Sequence, residues 1–217
     1  MGIVLRKPDA DGLRETAEAL RDWQDDAAPM QLHPGDVGWF WRFGAEATIA
    51  AVRTWSQDGR IIAVGLLDGD DLLRLTAAPG SQQDEQLASQ LAHDVMDPER
   101  GVLPGGRCLS RRRSAHSCTC VVRARLAHRR AVDPAAARPC ATGAGKPGLL
   151  EPMGVHRDHR GHGFGTAIAI AAAAALQRLG SSSALVCAPS SNVGAVATYA
   201  SAGFQQLPQR RDRYRDA

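Results

Sequence analysis

The sequence predicts an α+β chain: a mixed central sheet flanked by helices, interrupted by an irregular basic segment. Three observations predict it. Residues 1–100 read helix, strands, helix. Residues 148–217 read strand, helix, strand, helix, strand. The stretch between them holds no sustained period of two or of 3.6 residues. Three parts follow: 1–105, 106–147 and 148–217.

At 217 residues the chain is long enough to bury a core. No run of about 18 apolar residues exists, so no membrane span is expected. The opening "MGIVLRKPDADG" lacks an apolar signal core, and Arg6 stands where a myristoylation signal needs Ser or Thr. The expected location is the cytoplasm. Five cysteines, an odd number, argue against a secreted disulfide framework.

Asp11 is placed to cap a helix whose Leu13, Ala17 and Leu20 share one face. Asp58 and Gly59 form a hairpin signal ahead of "RIIAVGLL", apolar enough for a central strand. Asp68 and Gly69 turn the chain into "DLLRL". From Ser81 onward, Leu87, Leu91 and Val95 recur at helical spacing.

The middle is compositionally foreign. Residues 101–147 hold nine arginines, one lysine, one aspartate and four of the five cysteines. The net charge of +3 therefore hides an acidic remainder. Only "CVVRARLAHRR" suggests any regular structure. Read one base late, residues 124–139 become compatible with a peptide whose tryptophan codons straddle Leu126/Ala127 and Val132/Asp133. The expectation is that residues 106–145 are an out-of-phase reading, with coding sequence lost before Gly148. Cys118, Cys120, Cys140, His116 and His128 lack the two-residue knuckle spacing of a zinc site, so no metal is expected. "SRRRSAH" has no aromatic companions and reads as a solvated run, so no nucleic-acid partner is expected.

In the last part, "GLLEPMGV" reads as a strand and "GTAIAIAAAAALQRLG" as a helix ended by Gly180. "SSALVCAP" is a short buried strand, in which Cys187 reads as inert core. Asn192 can cap "VGAVATYASAG", which Gly203 stops, and "FQQL" suggests a last strand. Ahead of the first helix stands "RGHGFG", residues 160–165, with three glycines on alternate positions. A strand, a glycine turn and a helix start make a phosphate cradle: backbone N–H groups point outward, the helix dipole is positive there, and no Cβ blocks approach. A tight turn with close helix packing is the plainer alternative. A nucleotide P-loop is excluded, because no Lys precedes Thr166, and the spacing is wrong for a dinucleotide fingerprint.

"NVGAVATYASAGF" follows at residues 192–204. Together the two stretches resemble the GNAT superfamily of N-acetyltransferases. The loop matches R/Q-x-x-G-x-G/A, and Asn192, Ala195, Tyr199, Gly203 and Phe204 match N-x-x-A-x-x-x-Y-x-x-x-G-F. The resemblance covers about residues 148–208 and implies acetyl-CoA as cosubstrate and an amine as acceptor. By this resemblance, Arg160, Gly161, His162, Gly163, Phe164, Gly165 and Thr166 hold the pyrophosphate. Met153, Gly154 and Val155 meet the pantetheine arm, with Asn192 near the cofactor. Tyr199 is the general acid. Glu151, the only acid on the strand and of the same parity as Met153, is nominated as general base, with an exposed strand-end carboxylate as the alternative. His156, His159 and His162 are expected to face solvent or phosphate.

Some bacterial members of this superfamily are tandem, and residues 1–100 resemble the opening of the same fold. That implies a degenerate first copy and a second copy lacking its opening elements. The expected activity is acetyl transfer to a small-molecule or peptide amine. The alternative is a catalytically impaired CoA-binding remnant. A homodimer is left open.

Overall fold

Leu13 and Leu20 are buried on one face of the first helix, α1 (Ala10–Trp23), as the spacing predicts; Thr16 is buried with them, and the third predicted residue, Ala17, is half-buried. The cap is Asp9 rather than Asp11. Its Oδ1 accepts from Gly12 N at 2.8 Å, and its carbonyl accepts from Leu13 N. Asp11 lies inside the first turn and pairs with Arg14 at 3.0 Å.

The computed structural model describes residues 2–27, 32–68, 72–103, 120–125 and 137–208, with the side chains of 120–125, 137, 138 and 152 left aside. They fall into two compact units. The first comprises the described residues 2–23, 32–68 and 72–103.

In the first unit, β1 (Val4–Arg6), β2 (Val52–Gln57), β3 (Arg60–Leu67) and β4 (Leu73–Ala77) form an antiparallel sheet in that order. Asp58 (φ 50) and Gly59 (φ 77) turn β2 into β3, both left-handed as a type I′ hairpin requires. The predicted turn residue Gly69 lies outside the described residues. Two short helices, α2 (Pro34–Phe40) and α3 (Ala45–Ala51), precede β2. Seven residues each is too short for a periodic signal. The predicted helix after β4 is α4 (Glu85–Met96), which buries Leu87. Trp55 fills the core between sheet and α4, and its Nε1 donates to buried Asp94 at 2.9 Å.

The second unit comprises described residues 24–27, 120–125 and 137–208. Its strands are β5 (Cys120–Arg125), β6 (Ala137–Cys140), β7 (Gly148–Met153), β8 (Ser183–Ala188) and β9 (Gln205–Gln206). The sheet order is β6-β7-β8-β5-β9. Only β7 and β8 run parallel, joined by the crossover helix α5 (Phe164–Arg178), so the sheet is mixed, as predicted. Helix α6 (Val193–Ser201) connects β8 to β9. Leu150, Ala169, Ala172, Leu176, Val186, Tyr199 and Phe204 form the core between sheet and helices.

The middle segment holds a strand inside the one stretch expected to be regular and, against expectation, a second at 137–140. Residues 120–125 pair with β8 along their whole length, and 137–140 pair with β7. Strand β5 is interior although it comes first in sequence, so its partners are all remote. The metal-ligand candidates His116, Cys118 and His128 and the run "SRRRSAH" lie outside the described residues, as does most of 124–139. Chain from between α1 and α2 also joins this unit. Asp26 Oδ1 accepts from Ser183 Oγ at 2.6 Å, and Lys146 Nζ donates to Gln24 O at 3.0 Å.

Candidate active site

Strands β7 and β8 pair only at Gly148–Ala184 and Leu149–Leu185. Beyond that no further pair joins them, and the end of β7 faces a cavity of about 550 Å³. Met153, Gly154 and Val155 form its strand wall. Arg160, Gly161, Gly163, Gly165 and Thr166 form its loop side, and Asn192, Thr198 and Tyr199 its helical wall.

The three glycines have distinct physical reasons. Gly161 and Gly163 sit at φ 81 and φ 80, a left-handed backbone that side chains strain. Gly165 has ordinary φ, but a Cβ there would stand 2.9 Å from Thr198 Cγ2. It is the close-packing glycine where α5 meets α6. The tight-packing alternative holds at Gly165, while Gly161 and Gly163 make the left-handed turn ahead of α5.

Gly163 is the N-cap of α5, and no side chain caps this helix. The first-turn N–H groups have no intrahelical acceptor and stand beside the cavity as anion donors. Arg160 is held by Nε donation to Val155 O at 3.2 Å, tying loop to strand. The opposite wall is fixed by Asn192, whose Oδ1 accepts from Ala195 N at 3.2 Å, and by Thr198 Oγ1 donating to Gly194 O at 2.8 Å.

Tyr199 is 7 % exposed and packs against Phe204, ring centroids 5.8 Å apart. Burial raises its pKa above the usual phenol value, and the charges of Glu151 and then Cys187 raise it further. The hydroxyl is therefore held as a proton donor. Glu151 lies on β7 outside the cavity lining, yet within electrostatic reach of Tyr199. His162 and Phe164 also lie outside the lining, on the loop's outer side, whereas His159 lines the cavity. Cys187 is half-buried rather than sealed in core. Thr198 was not singled out from sequence. Its signal is a β-branched residue on the helix that faces a helical glycine. Among the described residues, no group of His, Cys, Asp or Glu could hold a metal. Nor, among them, is any helix long and apolar enough to cross a membrane.

The uncapped glycine-loop start of α5, the end of β7 and the buried Tyr199 of α6 thus meet around one cavity. Residues 117–204 match the model of the acetyltransferase (GNAT) family. The fold is similar to that of an acetyltransferase from the GNAT family of Colwellia psychrerythraea. There the TM-score is 0.50 at 16% identity, covering 96% of this chain and 97% of that one. A tandem GNAT protein from the clavulanic acid biosynthesis pathway aligns at TM-score 0.48 and 14% identity, covering 96% of each chain. No curated protein matches.

Proposed function

We propose that the second unit moves an acetyl group from acetyl-CoA to a primary amine by direct attack. The observation that carries this reading is that the uncapped start of α5 and Tyr199 open onto one cavity. The residues fit the donor. The loop N–H groups and Arg160 suit a pyrophosphate, and a Cβ at Gly154 would meet nothing within 4 Å, so that stretch of wall is open. When bound, acetyl-CoA supplies a thioester carbonyl and a thiolate leaving group.

The chain's residues then divide the work. Backbone near Val155 polarises the carbonyl. Glu151, directly or through water, takes the proton that the amine releases as its nitrogen bonds to carbon. Tyr199 gives its proton to the sulfur as the carbon–sulfur bond breaks. Asn192 holds the start of α6, and so the tyrosine's helix, in place.

The first unit reads as a degenerate copy. Its β4-to-α4 junction corresponds to β7-to-α5, but Asp84 caps α4, accepting from Gln86 N and Leu87 N at 2.9 and 3.1 Å. Glu85 follows. A carboxylate already fills that helix start and repels a phosphate. One acetyl-CoA per chain is the consequence.

A second reading, a CoA-binding remnant without turnover, is favoured by one observation. Among the described residues, the second unit has no helix ahead of β7. In this fold, opening helices wall the amine site, so in that reading the amine site is incomplete. Free-thiol release from acetyl-CoA with a panel of small amines and peptide N-termini separates the two. Turnover supports the transferase. Binding without turnover supports the remnant.

A further inference from the structure

Residues 39–43 of the first unit read Trp-Phe-Trp-Arg-Phe, and the transfer chemistry uses none of them. They end α2 and form the short turn Trp41–Phe43 ahead of α3. Phe40 packs against the unit's core. Phe43 meets Phe40 edge-on, with ring centroids 5.8 Å apart at 73°. The Arg42 guanidinium lies over the Trp39 ring, 3.4 Å from its centroid, and 4.3 Å from that of Phe43. These contacts order the corner but leave its outer side bare: Trp41 is 55 % exposed and Phe43 57 %. A contiguous aromatic patch rimmed by charge marks an interaction surface.

Charge narrows the partner. The described residues of the first unit hold more Asp and Glu than Lys and Arg, a balance that repels nucleic acid and anionic lipid. Arg42 and Glu46 stand four residues apart at the corner, both exposed, and neither has an ion-pair partner among the described residues. Each copy of the chain therefore offers one cation and one anion beside the same aromatic pair. A two-fold axis through such a patch brings Arg42 of each copy to Glu46 of the other. We infer that this corner joins two copies of the chain, with the Trp41 and Phe43 rings at the centre and reciprocal Arg42–Glu46 pairs beside them. Trp and Arg are the side chains that carry most of the binding energy where protein surfaces meet.

The test is sedimentation equilibrium of the full chain, up to high micromolar concentration, beside Trp41→Ser, Arg42→Glu, Glu46→Arg and the double variant Arg42→Glu/Glu46→Arg. The parent should dimerise. Trp41→Ser removes a mostly exposed ring and should weaken the dimer about 30-fold or more, the size of a hot-spot loss. Each single reversal sets like charges together at both pairs and should weaken it too. The double variant should restore it, because a two-fold contact exchanges the two positions. A monomeric parent, a Trp41→Ser chain that dimerises as the parent does, or a double variant no tighter than the single ones would overturn the contact. A monomeric parent whose binding to phosphatidylcholine vesicles is lost in Trp41→Ser would assign the corner to a lipid surface instead.

Discussion

Thr198 Cγ2 occupies the space that a side chain on Gly165 would need, 2.9 Å from the position of its Cβ. This contact sets how closely α5 approaches the helix that carries Tyr199. Gly165→Ala should therefore destabilise the chain. Overpacking of about 1–3 kcal/mol outweighs the gain of up to about 1 kcal/mol from helix propensity. Thr198→Ser removes the offending methyl and keeps the hydroxyl that bonds Gly194 O. In that background, Gly165→Ala should become neutral or stabilising in denaturant unfolding. If the cost persists unchanged, the contact is not what requires glycine.

Tyr199→Phe should lower kcat by about 10²- to 10⁴-fold, the range for loss of a general acid, with acetyl-CoA affinity nearly unchanged. Steady-state rates beside a binding titration check it. A loss of affinity as large as the loss of rate would make Tyr199 a packing residue only.

The pH profile carries a sign. Burial, Glu151 and Cys187 all raise the Tyr199 pKa, so the acid form persists above the usual phenol range. Glu151→Gln removes one of the two charges, so the basic limb of kcat should move to lower pH. A limb that stays put, or moves up, would separate Glu151 from Tyr199.

Because Asp84 already fills the start of α4, titration should give one acetyl-CoA per chain. A stoichiometry of two would mean that the first unit keeps a working cradle.

The second unit was legible where its signals are local. Gly161, Gly163 and Tyr199 announce themselves by spacing, and Gly180 and Gly203 end their helices in Schellman turns, with Ser181 N bonded to Leu176 O and Phe204 N to Tyr199 O. Strand β5 was only partly legible, because its place between β8 and β9 depends on partners more than fifty residues away. The short helices α2 and α3 span too few turns to show a period. The role of Gly165 was hidden because the reason for it stands on another helix. Glu151 was legible by parity, but its link to Tyr199 needed the fold.

The most direct test of the site is a calorimetric titration of acetyl-CoA into the parent chain and Gly154→Val. Gly163→Val would confound two effects, since φ 80 strains any side chain there. Gly154 has no such strain, and nothing of the protein lies within 4 Å of its Cβ. Gly154 lines the cavity, and a valine there enters open space at a stability cost of about 0.5 kcal/mol or less. The account predicts one-to-one binding by the parent, and loss of binding by a variant that unfolds at the same denaturant concentration. A parent that does not bind, or a Gly154→Val chain that binds as the parent does, would contradict it.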